Sequence, residues 1–199
     1  MNTRTGIYEK AISDLQRLME EARKRGLSEP DSAAFATSDK SGFPSVRMVY
    51  VQSVEHRGPL IFINMLSGKG QQIQNNPRAS VCFFWPGLQY QVIVDGAVEV
   101  LSEADSDLYW RKRPRDSQLG AWASEQSEKL QDKGALKKNL AAYKKLFDYK
   151  SADRPTNWRA LQIRPQRIEF WKTGWNRLAA RTRYQVQPNG EWTEESENP

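Results

Sequence analysis

A chain of 199 residues is long enough for one core of ordinary domain size, and 38% hydrophobic residues with seven Trp, seven Tyr and seven Phe exclude a disordered polypeptide. Thirty Lys+Arg against 24 Asp+Glu leave a net charge of +6, a balance that suits either an anionic ligand or a nucleic acid. The single cysteine, Cys82, excludes an internal disulfide, and no apolar run approaches the roughly 20 residues that span a bilayer; a reducing, cytoplasmic setting away from membranes is expected.

Ile7 to Arg25 places Ile7, Ala11, Leu15, Leu18 and Ala22 three and four residues apart among charges, the pattern of an amphipathic helix, and Gly26 stops it. Ala33 to Thr37, a turn at Asp39 to Gly42, and Ser45 to Val51 read as a hairpin. After a turn at Glu55 to Pro59 comes the apolar strand Leu60 to Asn64, and a loop with Ser67, Gly68 and Lys69 then opens a short helix over Gly70 to Asn75. Ala79 to Trp85 and Gln89 to Leu101 are further strands, and helical periods follow over Ser102 to Arg111 and Glu125 to Tyr149. The last third returns to strands at Trp158 to Ile163, Arg167 to Trp171 and Thr182 to Val186, and the polar end from Glu194 to Pro199 is expected to fray. Many short antiparallel strands with flanking helices predict a mainly β, α+β fold closed into a small barrel. The expected division is a helical lead-in over residues 1–30, a barrel domain over 31–187 and a polar tail over 188–199.

Hydrolytic and metal chemistry find no residues here. The lone His56 reads as a solvated turn residue, and Cys82 lies in an apolar strand and reads as a core thiol. Redox or transfer chemistry must therefore come from a bound cofactor. Ser67-Gly68-Lys69-Gly70, at a strand-to-helix junction, offers a hydroxyl, a cation and free N–H groups to a phosphate, without the spacing of a nucleotide P-loop; a plain surface turn fits it equally. Tyr109, Arg113 and Ser117, with Arg111 and Arg115 nearby, place a phenol, guanidiniums and a hydroxyl within nine residues, which suits a phosphate dianion or, equally, a basic helix end. Because the basic residues gather in phosphate-sized groups and form no long stripe, a phosphorylated small molecule is a simpler partner than a nucleic acid.

The string Arg-Pro-Arg-Asp-Ser-Gln-Leu-Gly-Ala-Trp-x-Ser-x-Gln-Ser, Arg113 to Ser127, resembles the central signature of pyridoxamine 5'-phosphate oxidases, and Ile168-Glu169-Phe170-Trp171 with Arg177, Leu178 and Arg181 resembles their C-terminal signature. The likeness extends to Arg47-Met48-Val49, Phe62-Ile63-Asn64, Lys69, Asn75-Asn76-Pro77-Arg78 and Gln91, and so covers about Asp31 to Tyr184. It implies a split-barrel flavoprotein, a homodimer, and two FMN sites at the subunit interface. Carried over by position, it implies FMN contacts from Arg47, Met48, Val49, Tyr50, Val51, Gln52, Phe62, Ile63, Lys69 and Gln91, completed by Gln126, Ser127, Trp171 and Arg181. It also implies that Tyr109, Arg113 and Ser117 hold the substrate phosphate and that Arg177, the candidate catalytic residue, lies against the substrate ring.

The implied reaction oxidises pyridoxamine or pyridoxine 5'-phosphate to pyridoxal 5'-phosphate, with O2 reduced to hydrogen peroxide. Three positions depart from the family pattern: Gln52 stands for a lysine, Gly68 for an arginine that assists the FMN phosphate, and Ala179 for a histidine beside the substrate. The alternatives are a flavin oxidase of the same superfamily with another substrate, like those of phenazine biosynthesis, and a non-catalytic flavin- or pyridoxal-phosphate-binding protein.

Overall fold

The computed structural model describes residues 5–124, 126, 127, 129, 132, 134–148, 150–174 and 179–198. Helix α1 (Thr5–Lys24) opens the chain. Its stripe of Ala11, Ile12, Leu15, Leu18, Met19 and Ala22 is buried in the core, where each large aliphatic side chain contributes roughly 1.5–3 kcal/mol. The helix ends as its sequence requires. Gly26 takes φ 63°, the Gly26 N–H bonds to the Arg23 carbonyl at 2.9 Å, and the Leu27 N–H reaches back to the Ala22 carbonyl at 3.1 Å, so the last carbonyls are satisfied.

Eight strands follow: β1 (Ser32–Ser38), β2 (Pro44–Glu55), β3 (Gly58–Asn64), β4 (Arg78–Trp85), β5 (Tyr90–Val100), β6 (Trp158–Lys172), β7 (Ala180–Val186) and β8 (Trp192–Glu197). They pair in the order β3-β2-β1-β4-β5-β6-β7-β8, and β3 pairs with β6 as well, which closes six strands into an antiparallel barrel and leaves β7 and β8 as an extension of β6. Phe35, Ile61, Val81, Phe83, Val92, Val94, Leu161 and Ile163, alternating along their strands, fill its interior. The other helices are α2 (Gly68–Asn75), α3 (Glu103–Arg111), α4 (Arg115–Ala123) and α5 (Ala135–Phe147).

Besides helix α4, which no helical period announces, the structure differs from the sequence expectations at four places. Helix α2 starts at Gly68, because Ser67 serves as its N-cap and accepts from the Gly70 N–H. The period over Glu125 to Tyr149 yields a helix only from Ala135, with Gln126 and Ser127 in a turn, while part of that stretch lies outside the described residues. Strands expected at Trp158 to Ile163 and Arg167 to Trp171 are one continuous β6. Pro165 is accommodated because the register with β5 shifts at Asp95/Gly96, and no ladder bond is demanded of it there. The polar end is ordered as β8, paired with β7 from Val186↔Trp192 to Arg181↔Glu197. Its carboxylates answer basic partners: Glu194 bonds Lys10 Nζ at 2.8 Å, and Glu197 pairs with Arg181 and Arg183.

Candidate functional site

One face of the barrel carries a cleft of about 450 Å³ between β2, β3, the start of α2 and helix α4. Met48, Val49, Tyr50 and Gln52 of β2, Phe62 and Ile63 of β3, Lys69, Gln126, Arg113 and Ser117 all line it, so ten of the sequence-derived site residues meet in one place. Two segments far apart in the chain make this possible. The β2–β3 hairpin supplies the floor, and the α3–α4 pair is strapped over it. Trp110 and Trp122 donate their indole N–H groups to the carbonyls of Ala152 (2.7 Å) and Asp153 (2.8 Å), and Arg154, 6% exposed, bonds Asp107 at 2.6 Å and also pairs with Glu103.

At one end of the cleft the N-terminus of α2 gathers donors. Ser67 Oγ donates to the Asn64 carbonyl (2.6 Å) and accepts from the Gly70 N–H (3.4 Å), which fixes the cap. A Cβ on Gly70 would overlap the backbone of Met65, so only glycine allows this close turn. Lys69 Nζ donates to Gln126 Oε1 at 2.9 Å, and the Gly68 N–H donates to Ser127 Oγ at 3.3 Å; the turn carrying Gln126 and Ser127 is therefore seated directly over the helix start. Burial pushes the Lys69 ammonium below the ordinary lysine range, and the charge of Arg47 adds to the effect. Arg47 donates to Thr37 Oγ1 (2.6 Å), Gln72 Oε1 (3.2 Å) and the Phe35 carbonyl (3.2 Å), and burial lowers its pKa too. Among the described residues no carboxylate pairs with Arg47 or Lys69, which leaves a doubly cationic end without a counter-charge.

The other end is aromatic and cationic. Phe62 stacks on Trp158 with centroids 4.6 Å apart, Tyr109 lies 5.5 Å from Phe62, and the Arg113 guanidinium sits 5.6 Å from the Trp158 ring. Burial lowers the Arg113 pKa, its Nε is buried without a hydrogen-bond partner, and among the described residues no carboxylate pairs with it. Ser117, in the first turn of α4, stands beside it on the cleft wall. Tyr109 itself does not line the cleft: its hydroxyl donates to Glu55 Oε1 at 2.9 Å.

The remaining candidates lie elsewhere. Gln91, Trp171 and Arg181 form one row across β5, β6 and β7, since Gln91 pairs with Trp171 and Trp171 with Arg181. None of the three lines the cleft of this chain, and Arg181 is held by Glu169 at 2.9 Å and Glu197 at 3.2 Å. The Val51 side chain, 1% exposed, belongs to the core, its N–H is bonded to the Asp31 carbonyl (2.8 Å), and it does not line the cleft. Arg177 lies outside the described residues.

Three further groups of the cleft were not singled out in the sequence. Gly120, Ala121 and Ser124 line the α4 side, and their signal was present, since they fall inside the central signature. Trp158 reads in sequence as a strand residue, and only the pairing of β6 with β3 sets it against Phe62. Asn157 has no sequence signal at all. It donates to Asn64 Oδ1 at 3.0 Å, and its carbonyl accepts from the Met65 N–H at 2.7 Å, which locks the loop after β3.

A family model described as pyridoxamine 5'-phosphate oxidase matches residues 19–172, and one described as the pyridoxine 5'-phosphate oxidase C-terminal dimerisation region matches residues 158–199. The chain is 45% identical over 159 residues to the pyridoxine/pyridoxamine 5'-phosphate oxidase of Anaeromyxobacter dehalogenans, covering 80% of each protein. It is 40% identical over 182 residues to that of Ralstonia pickettii, covering 92% of this chain and 85% of the relative. Among solved structures it resembles PhzG from Burkholderia lata in complex with tetrahydrophenazine-1-carboxylic acid (28% identity, TM-score 0.89, 94% and 92% of the two chains). A pyridoxamine 5'-phosphate oxidase-related, FMN binding protein from Nostoc punctiforme shares the fold (18% identity, TM-score 0.75, 96% and 97% covered). The chain belongs to the pyridoxamine 5'-phosphate oxidase family, an FMN oxidoreductase family with a split-barrel fold.

Proposed function

We propose that this protein binds FMN and oxidises pyridoxine or pyridoxamine 5'-phosphate to pyridoxal 5'-phosphate, with O2 reduced to hydrogen peroxide. The observation that carries the reading is one cleft with two separate anion-seeking ends, Lys69 at the start of α2, with Arg47 close behind it but outside the cleft lining, and Arg113 with Ser117 on α4, joined by the floor of Met48, Val49, Phe62 and Ile63. A cofactor and a substrate that each carry a phosphate fit such a division. The donors fit the cofactor in particular. The α2 N-terminus, the Lys69 ammonium and the Arg47 guanidinium lack a counter-charge, and Gly70 permits a close backbone turn.

Bound FMN supplies two-electron redox chemistry and reacts with O2; the work of the chain is to bind and orient. Lys69 and Arg47 neutralise the cofactor phosphate. Arg113 offers its unpaired Nε–H, with Ser117, to the substrate phosphate. Phe62 and Trp158 form an apolar wall that keeps water from the reacting face. The matched C-terminal dimerisation region supports a homodimer, in which a second copy brings the Gln91, Trp171 and Arg181 row to the site. Exposed Met48 and Tyr50, which line the cleft from β2, support the same arrangement. Arg177 is assigned to the substrate ring on the family resemblance.

A second reading, a flavin oxidase acting on a reduced tricyclic acid, is favoured by the likeness to PhzG and by the absence of cations at Gln52 and Ala179. Anaerobic addition of pyridoxamine 5'-phosphate to the FMN-loaded protein separates the two. Bleaching of the oxidised-flavin band, with colour restored by air, is the expected result. A flavin that bleaches only with a dihydro- or tetrahydrophenazine carboxylic acid transfers the assignment to the second reading. A flavin that neither substrate bleaches leaves a binding protein, and failure to take up FMN overturns the proposal.

A further inference from the structure

Tyr109 has one hydroxyl proton, and it is already committed. The phenol donates to Glu55 Oε1 at 2.9 Å, and Ser53 Oγ donates to the same oxygen at 3.2 Å. Glu55 stands at the end of β2, three residues beyond the cleft residue Gln52, and is half-buried; among the described residues no cation lies within ion-pair distance of it. A phosphate dianion has only acceptors to offer at neutral pH, so it can hydrogen-bond Tyr109 only by taking that proton away from Glu55. The Tyr109 ring shares the aromatic wall with Phe62 and Trp158, on which Arg113 rests, so the carboxylate is set at the edge of the end where Arg113 waits without a partner.

Resting on the substrate reading above, we propose that Glu55 is a specificity-determining residue that competes with the substrate phosphate for the Tyr109 proton and weakens the binding of dianions. Two effects act in the same direction. The hydroxyl presents lone pairs to an incoming anion, and behind it stands the Glu55 carboxylate, which feels the Arg57 charge at a distance without forming an ion pair with it. Gln52 adds no positive charge to offset this, so Arg113 faces the substrate phosphate as the sole guanidinium lining the cleft among the described residues.

The test is calorimetric titration of the FMN-loaded protein with pyridoxal 5'-phosphate, comparing wild type, Glu55→Gln, Tyr109→Phe and the double variant. Glutamine keeps the shape and an acceptor while removing the charge. Glu55→Gln is expected to tighten binding by about tenfold, the size of one partly screened charge interaction, and most of the gain is expected to vanish in the Tyr109→Phe background. An unchanged or weaker affinity in Glu55→Gln overturns the proposal, as does a gain that survives intact without the phenol. If all four proteins take up FMN yet none binds pyridoxal 5'-phosphate, the substrate reading fails and the role of Glu55 fails with it.

Discussion

Gly68 illustrates how much one position at the cofactor end decides. It lies beside Lys69 at the first turn of α2, and a Cβ there would meet no heavy atom within 4 Å, so neither space nor backbone conformation calls for glycine. The family pattern has an arginine at this position. Gly68→Arg is expected to tighten FMN binding by roughly tenfold, within the ~1–3 kcal/mol that a charge-assisted bond to a phosphate supplies. Fluorescence titration of the flavin would read it, and an unchanged affinity would show that the FMN phosphate lies away from this turn. Gly70, two residues on, behaves oppositely, because there the Met65 backbone excludes any side chain. Both glycines are visible in the sequence, and only the structure tells which one is compulsory.

The strand β6 shows the same division among elements. Its apolar halves are legible as strands, yet Pro165 between them reads as a break. The ladder survives because β5 shifts register at Gly96, whose absent side chain makes room for the Arg164 carbonyl. Gly96→Ala is therefore expected to cost about 1–3 kcal/mol by forcing the bulge apart. A thermal melt should fall by several degrees, and a melt equal to wild type would mean that the two strands slide freely. Helix α4 is legible only as a motif, since Arg115 to Ala123 is short and weakly amphipathic; its position comes from the bond of Trp122 to the Asp153 carbonyl. Strand β8 is not legible in the sequence because Glu194, Glu195 and Glu197 read as a solvated tail until Lys10, Arg181 and Arg183 are brought to Glu194 and Glu197.

For the molecule as a whole, β2 leaves an apolar face uncovered. Val46 is 69% exposed, with Met48 and Tyr50 beside it on the same side of the strand, and Phe84 of β4 is also 61% exposed. Val46→Asp is expected to shift the protein to monomer in sedimentation velocity and to weaken FMN binding, because Val46 shares its face with cleft residues. A dimer of unchanged stability would place the interface elsewhere. The sequence by itself determined the family, the barrel strands, the amphipathic first helix and most of the residues of the cleft, because hydrophobic periodicity and two long signatures are local properties of the chain. The tertiary structure alone decided that β3 closes the barrel on β6 and so sets Trp158 against Phe62, that Val51 faces the core, that the Gln91 row stands apart from the cleft, and that the Tyr109 proton belongs to Glu55. Each of these depends on residues tens of positions apart being placed within a few ångströms, and no local pattern encodes such a distance.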